Sequence, residues 1–188
     1  MRRLRLHDRI TPIKAGSWRA TRQVAKLQDA RSGLSWREED IGSMLRSGDI
    51  GGYKATRHRI GTPILFAGAI LFRVMADEGE ILSLSVRHSE RRRGIGGALM
   101  RKALNAMKSK GAEKVFLEVS ETNRAARALY RRFGFEKVGV RYNYYSTKHR
   151  QSHNALVFRL ELSSRQHRQK SLAFTTQSRI PRRHAQQP

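Results

Sequence analysis

The spacing of apolar residues changes from a period of two to a period near 3.6 at residues 94–97, three of which are glycines. Before them, residues 80–86 (EILSLSV) alternate apolar and polar side chains, which predicts a strand with Leu82, Leu84 and Val86 on one apolar face. After them, apolar residues recur at helical spacing as far as Gly111, where we expect the helix to end. A strand that leads directly into an amphipathic helix favours a layered α/β protein.

The rest of the chain contains both patterns without an internal repeat. Two amphipathic helices are predicted at 17–30 and 35–48, and the second opens with Ser35 and Glu38 in an S-x-x-E capping arrangement. The later order of strand, helix, strand, helix and two strands predicts a mixed α/β (α+β) sheet rather than a barrel or a bundle. The remaining strands are predicted at 51–58, 63–74, 114–120, 135–141 and 155–162, and the remaining helix at 123–133.

Positive charge is the main feature of the composition. The chain has 39 Lys and Arg against 15 Asp and Glu, a formal net charge of +24. Such an excess favours anionic partners, among them nucleic acid, ribosomes, anionic surfaces and phosphorylated ligands. We expect a basic N-terminal arm at 1–15, a folded domain at 16–162, and a basic, disordered tail at 163–188.

Several classes of protein are excluded by what the sequence lacks. There is no cysteine, which rules out disulfides, thiolate metal sites and a cysteine nucleophile. No cluster of His, Asp and Glu has the spacing of metal ligands, so we expect no metal. No apolar run approaches the ~20 residues of a membrane span, and the arginine-rich start lacks the apolar core of a secretory signal. The cytoplasm is the expected location.

The loop at residues 90–97 (ERRRGIGG) has the composition of an anion-binding site. Helix N-termini expose unpaired N–H groups, glycines let the backbone approach a ligand, and arginines pair with phosphate. The spacing does not match a Walker loop, and Leu99 stands where a dinucleotide fingerprint requires its third glycine. What the chain has is R-x-x-G-x-G, at Arg91, Gly94 and Gly96. A phosphorylated ligand is predicted, and a basic turn before an ordinary helix is the alternative.

This R-x-x-G-x-G segment resembles the pyrophosphate loop of the GNAT acetyltransferases. Residues 116–135 (FLEVSETNRAARALYRRFGF) and 142–146 (YNYYS) resemble the same family, in particular the branch that acetylates the N-terminal alanine of ribosomal proteins. The resemblance covers about residues 50–162 well, the first fifty residues loosely, and the last twenty-six not at all. It implies a mostly antiparallel sheet with a parallel strand pair splayed for acetyl-CoA, and acetyl-CoA as the co-substrate.

The resemblance also implies a role for each candidate residue. Glu118 matches the proton acceptor and Tyr130 the group that protonates the leaving thiolate. Alternatively, Glu118 is a strand glutamate in a salt bridge and Tyr130 is a core residue. Asn123 matches the contact to the pantetheine arm, or is a helix N-cap. The remaining cofactor-binding candidates are Leu84, Ser85 and Val86, whose strand is expected to bulge, and Arg91, Arg92, Arg93, Gly94, Ile95, Gly96 and Gly97 of the loop.

Three functions are compatible with these features. The first is transfer of acetyl from acetyl-CoA to a protein N-terminal α-amine, such as that of a ribosomal protein, by direct attack in a ternary complex. The second is acetylation of a small amine or a lysine. The third is a ribosome- or nucleic-acid-binding module in which acetyl chemistry is incidental or lost, with the basic tails as the contact to the ribosome or RNA. The loop at 146–154, with Lys148, His149, Arg150 and His153, has none of the acids that this branch usually has there, and His88 and His153 are expected to be solvated.

Overall fold

In the part of the chain that the structure describes, a seven-stranded sheet carries two α-helices on each face. The computed structural model describes residues 8–28, 36–58, 61, 63–146 and 152–162. The elements are β1 (Asp8–Pro12), α1 (Trp18–Leu27), α2 (Glu38–Arg46), β2 (Ile50–Arg57), β3 (Leu65–Met75), β4 (Glu78–Val86), α3 (Ile95–Ser109), β5 (Lys114–Ser120), α4 (Arg124–Arg132), β6 (Glu136–Ser146) and β7 (Ser152–Glu161).

The strands lie in the order β1-β2-β3-β4-β5-β7-β6. Neighbouring strands are antiparallel except for β4 and β5, which are parallel and joined through α3. The predicted fold class, a mixed sheet that is mostly antiparallel with one parallel pair, is therefore confirmed. The parallel pair also accounts for the change of period at residues 94–97, since a parallel connection needs a crossover element such as a helix.

The two parallel strands separate before they end. Their pairing stops at Ile81 and Leu117, although β4 continues to Val86 and β5 to Ser120. A register shift in the pairing of β3 and β4 skips Leu82, which is a bulge. The splay and the bulge that the resemblance implied are both present, the bulge slightly earlier than the predicted Leu84–Val86.

The bulge corrects the prediction of a single apolar face on β4. Leu84 and Val86 pack on the core under α3, but Leu82 packs on the core under α1 and α2. A bulge adds one residue to a strand and so reverses the side to which the following residues point. Alternation read from the sequence assumes a regular strand and places Leu82 on the wrong side.

The sheet separates two apolar cores. The larger lies between the sheet and α3, whose predicted apolar stripe is buried apart from Ala106, which is half-buried, and is widened by Met100 and Leu104. The smaller lies on the opposite face, under α1 and α2. The buried side chains of α3 are Ile95, Ala98, Leu99, Met100, Ala103, Leu104 and Met107, and those of α1 and α2 include Ala20, Val24, Ile41 and Leu45.

Two further expectations need correction. Asp8–Pro12, inside the predicted N-terminal arm, form β1 and pair with β2. A short edge strand with charged residues and a proline lacks the usual strand signal. The predicted Ser35–Glu38 cap is also wrong, since α2 starts at Glu38 and the backbone N–H of Arg37 donates to Asp40 at 3.0 Å. Asp40, three residues beyond the cap, is the acid whose carboxylate makes this bond.

Some predictions fall on residues that the structure does not describe. They are Ser35 itself, residues 1–7 of the arm, the tail at 163–188, and Lys148, His149 and Arg150. Among the helices in the described ranges, none combines the length and the hydropathy needed to cross a membrane.

Candidate active site

A cleft of about 1020 Å³ opens in the sheet where β4 and β5 separate. Its walls come from the end of β4, the following loop, the first turns of α3, the end of β5, and α4, with a further wall at the end of α1. Among the candidates from the sequence, only Arg93 is not in its lining. The candidates that line it are Leu84, Ser85, Val86, Arg91, Arg92, Gly94, Ile95, Gly96, Gly97, Glu118, Asn123 and Tyr130.

The first turn of α3 points its N-terminus at one end of the cleft. Gly94 precedes the helix with φ of +86°, a left-handed conformation that costs glycine nothing. The first N–H groups of a helix have no partner within the helix and carry a partial positive charge. Arg91 and Arg92 line the same end. This end of the cleft therefore favours an anion such as a phosphate.

A buried ion pair supports the loop from below. Glu90, in a short turn at His88–Glu90, pairs with Arg57 at the end of β2, and the two residues are 3% and 5% exposed. Arg93 lies 3.6 Å from the same carboxylate, measured from its Nε. The guanidinium of Arg93 is therefore engaged with Glu90, which accounts for its absence from the cleft lining. The sequence suggested no role for Glu90, because its partner is 33 residues away.

The α4 wall carries Tyr130 and Asn123. Tyr130 is 6% exposed and packs against Phe135 and Phe158, with ring centroids 5.9 and 6.4 Å away. The side-chain oxygen of Asn123 accepts a hydrogen bond from the N–H of Ala126 at 3.0 Å, which makes Asn123 the N-cap of α4. Both structural roles considered for these residues are thus present. Since both residues also line the cleft, their proposed chemical roles are compatible with the structural ones.

Glu118 enters the cleft from the other side of the sheet. Its neighbours Leu117 and Val119 are buried in the core under α3, so Glu118 points towards the face that carries α1 and α2. Its side chain is 19% exposed, and its Oε1 lies 3.0 Å from Nε of Arg141. The hydroxyl of Tyr144 hydrogen-bonds to it, and burial, followed by the charge of Glu118, raises the pKa of Tyr144. The salt bridge considered as the alternative role is therefore present.

The gap between β4 and β5 joins the two faces of the sheet. Tyr130 belongs to the core on the α3 side, and Glu118 lies on the α1 side, yet both line one cleft. A group bound in the gap is therefore accessible to Tyr130 from one face of the sheet and to Glu118 from the other. The arrangement can accept a proton on one side of a reacting carbonyl and donate one on the other.

The wall formed by α1 was not predicted. It consists of Leu27 and Gln28 at the end of α1 and Trp36 before α2. Gln28 accepts a hydrogen bond from the N–H of Trp36 at 2.6 Å, and its buried Nε2 has no hydrogen-bond partner among the described residues. A buried N–H without a partner is costly and offers a site for a carbonyl oxygen. Nothing in the local sequence indicates this, because a helix-end glutamine is ordinary.

A hydrogen-bonded bridge fixes the strand that carries Tyr144. The backbone and side-chain N–H groups of Asn154 donate to the two carboxylate oxygens of Glu121 at 3.0 and 3.1 Å. The Oδ1 of Asn154 accepts from the N–H of Asn143 at 3.1 Å. Asn143 has φ of +55° and lies in an irregular part of β6, between Arg141 and Tyr145. The bridge therefore holds the bulge from which Arg141 and Tyr144 reach Glu118.

Replacing Glu121 with Gln is expected to lower stability at neutral pH and not in acid. The N–H groups of Asn154, the backbone one first, hold the pKa of Glu121 below its ordinary value of 4.5. A carboxyl with a lowered folded pKa contributes stability above its unfolded pKa and loses it as pH falls through the folded pKa. The urea midpoint of the wild type should exceed that of Glu121→Gln at pH 7, and the difference should shrink as the pH falls below 4.5. An equal difference at neutral and acid pH would contradict this role.

Comparison with known proteins identifies a family whose sequence pattern the chain matches. A model of the Acetyltransferase (GNAT) family matches residues 34–135. The chain is 33% identical over 98 residues to the ribosomal protein bS18-alanine N-acetyltransferase of Salmonella typhimurium, covering 52% of this chain and 65% of that protein. It is 35% identical over 100 residues to an N-alpha-acetyltransferase of Sulfurisphaera tokodaii, covering 53% and 58%. The matches thus span less than two thirds of these relatives.

Solved structures show the same fold. The crystal structure of the ribosomal-protein-S18-alanine N-acetyltransferase from Escherichia coli superposes with a TM-score of 0.70, at 24% sequence identity, over 84% of this chain and 95% of that chain. At this level of identity the likeness establishes the architecture alone.

Proposed function

Because this chain belongs to the GNAT family of acetyltransferases, we propose that it transfers an acetyl group from acetyl-CoA to the α-amine of a protein N-terminus. The names of the sequence relatives, which are N-terminal and ribosomal-protein-alanine acetyltransferases, support this class of acceptor. A ribosomal protein is the finer proposal. The observation that carries the mechanism is that Glu118 and Tyr130 reach one cleft from opposite faces of the sheet.

The residues of the cleft fit acetyl-CoA. The N–H groups at the start of α3, with Arg91 and Arg92, are placed to bind its pyrophosphate. Asn123 and the small side chains Ala125 and Ala128 of α4 border the path from there to the gap in the sheet. The end of β4, from Leu82 to Val86, pairs with β3 but no longer with β5, so its backbone N–H groups that face the gap can polarise the thioester carbonyl.

The acceptor is proposed to approach from the face of α1 and α2. Glu118 accepts a proton from the ammonium group, directly or through a water, which frees the amine to attack the acetyl carbonyl. An α-amine has a pKa of ~8, against ~10.4 for lysine, and is therefore deprotonated more easily at neutral pH. The buried Nε2 of Gln28 is placed to donate to a carbonyl of the acceptor chain. Leu27 and Trp36 offer apolar contact to its side chains.

The leaving group is proposed to depart on the other face. Collapse of the tetrahedral intermediate breaks the carbon–sulfur bond, and Tyr130 gives its phenol proton to the thiolate. A phenol, with an ordinary pKa near ~10, is protonated at neutral pH and can donate. The nitrogen of the intermediate loses its second proton to solvent, solvent returns a proton to Tyr130 and takes the one held by Glu118, and the product amide and free CoA leave with one proton released overall.

The test is acetyl-CoA with a library of N-terminal peptides, read by mass. The library contains peptides that begin with Ala, Ser or Gly, peptides with a blocked N-terminus and an internal lysine, and a set of small amines. Acetylation of free N-termini alone is the expected result. Transfer only to lysine or to small amines would replace this acceptor class with the second candidate. Absence of saturable acetyl-CoA binding in calorimetry would refute the enzyme itself.

Tyr130→Phe is expected to lower kcat by about 10²-fold, because general acid catalysis typically contributes 10²–10⁴-fold. The affinity for acetyl-CoA, measured by calorimetry, should be unchanged. The ring still packs against Phe135 and Phe158, so the free energy of unfolding should fall by no more than about 1–2 kcal/mol. Tyr142→Phe is the matched control, since Tyr142 is 78% exposed on β6. Equal kcat in the two variants would remove Tyr130 from the mechanism.

A further inference from the structure

The positive charge of the described chain is concentrated on the face that carries α3 and α4. Residues 91–112 and 122–135, which contain these helices and the loops around them, include no Asp or Glu. The first segment holds seven basic residues and the second holds four. They are Arg91, Arg92, Arg93, Arg101, Lys102, Lys108 and Lys110 in the first, and Arg124, Arg127, Arg131 and Arg132 in the second.

The cleft accounts for only part of this charge. Arg91, Arg92, Arg101 and Arg132 line it, and Arg93 pairs with Glu90. Other basic side chains are exposed and lie outside the cleft lining. We call these the outer cationic surface, which consists of Lys102, Lys108 and Lys110 on and just after α3, and Arg124 and Arg131 on α4.

The geometry of α4 separates the two sets of arginines. Ala125, Ala128 and Arg132, spaced i, i+3 and i+7, line the cleft. Arg124 and Arg131 are seven residues apart, which places them on one side of the helix about 10 Å from each other. That side is not in the cleft lining, so these two guanidinium groups are presented to a partner on the surface.

The opposite face of the sheet is different. There, α1 carries the exposed Arg19, Arg22 and Lys26, but the face also carries acids, and Arg73 and Arg159 pair with Glu80 and Glu161 at 2.7 and 3.0 Å. The first turn of α2 contributes three acids, Glu38, Glu39 and Asp40. A surface that was basic only for solubility would not need this asymmetry, because solubility depends on net charge rather than on its placement.

The outer cationic surface suits phosphates better than a lipid bilayer. A helix that binds a membrane surface inserts exposed apolar side chains. The apolar residues of α3 are buried in the core. The large apolar side chains exposed among the described residues lie on neither α3 nor α4, and they are Trp18, Ile64, Met75, Val138, Tyr142 and Tyr144. The outer cationic surface therefore offers positive charge without apolar anchors. Protein surfaces that contact the phosphate backbone of nucleic acid have this chemistry.

We propose that the outer cationic surface is a docking site for the phosphate backbone of nucleic acid, separate from the cleft and independent of base sequence. It goes beyond the proposed transfer reaction, since it gives the protein a second, polyanionic partner. Each Lys or Arg that neutralises a phosphate releases a counterion, so binding weakens as salt rises. RNA and DNA share this backbone chemistry, and the experiment separates them.

The test uses the full chain and two charge-matched triple variants. Lys102→Gln, Arg124→Gln and Arg131→Gln change the outer cationic surface. Arg19→Gln, Arg22→Gln and Lys26→Gln, all exposed on α1, are the control with the same loss of three charges. Binding of a fluorescent 16-bp RNA duplex, of DNA of the same sequence, and of vesicles with anionic lipid is measured between 50 and 200 mM salt, conditions in the range where such contacts respond.

The surface variant is expected to bind duplex at least about ten times more weakly than the control, with a slope of log K against log salt smaller by up to about three. Its acetyl-CoA affinity should match the wild type, which also shows that it is folded. Tighter binding of RNA than of DNA would identify RNA as the partner. Equal binding would show a site that accepts the phosphate backbone of either. The proposal would be overturned by an equal loss of duplex affinity in both triple variants or by no loss in the surface variant. Binding of the protein to vesicles but not to duplexes would also overturn it. Three single Gln variants repeat the measurement if the triple variant does not fold.

Discussion

Glu118→Gln is expected to lower kcat/KM for acetyl transfer by about 10²–10⁴-fold, the typical contribution of a general base. Glutamine keeps the size of the side chain and can still accept from Arg141, whose Nε lies 3.0 Å from Oε1 of Glu118. It cannot take a proton from the acceptor ammonium. The affinity for acetyl-CoA should be unchanged, because the anion-binding end of the cleft is formed by the loop and α3 rather than by β5.

The control for this change is Glu80→Gln. Glu80 lies on β4, opposite Phe116 in the parallel pairing, and its carboxylate pairs with Arg73 at 2.7 Å. It is outside the cleft lining, so its loss should leave the rate within a factor of two or so. A comparable loss in both variants would mean that the negative charge of this face, and not a proton acceptor at Glu118, supports the reaction.

Raising the pH should partly rescue Glu118→Gln. An α-amine loses its proton unaided with a pKa of ~7.7–8.0, so the acceptor itself is increasingly reactive above that range. The ratio of wild-type to variant rate is therefore expected to shrink between pH 7 and pH 9. A ratio that is constant with pH would contradict a role in proton transfer and point to positioning of the acceptor.

Local patterns predicted much of this fold. Alternation in residues 114–120 placed Glu118 on the side of β5 opposite Leu117 and Val119, and the structure has it there. The change of period at 94–97 predicted the strand–loop–helix unit that ends at Gly111. Both signals depend on residues within about one turn or one pleat of each other, where backbone geometry dictates which side chains share a face.

Features that depend on contacts between different elements were not predictable. The bulge that turns Leu82 away from Leu84 is defined by the register with β3, not by the sequence of β4. The strand at Asp8–Pro12 exists because the edge of β2 is available to it. The wall at Gln28 is part of the cleft only because α1 packs over the splayed strands. In each case the deciding contact joins two different elements rather than neighbours within one element.

The pair of Arg57 and Glu90 is the distant contact with the largest expected effect on stability. Glu90→Gln should lower the free energy of unfolding by about 3–5 kcal/mol, because it removes the negative charge that Glu90 places against the buried guanidinium of Arg57. Denaturant unfolding measures this directly. Glu161→Gln is the control, since its pair with Arg159 is exposed, and it should cost about 1 kcal/mol or less.

A double replacement separates the cost of an unpaired charge from the value of the pair. Arg57→Met with Glu90→Leu removes both charges and fills the space with apolar groups, so it should be more stable than either single variant. Its acetyl-CoA affinity is a second readout, because the turn at His88–Glu90 leads into the loop before α3. We expect the acetyl-CoA affinity of the double variant to be lower than that of the wild type even where its stability recovers. The reason is that the ion pair between the turn and β2 is absent. A small, equal loss in Glu90→Gln and Glu161→Gln would show that water reaches the Arg57 pair and that the loop is held by other contacts.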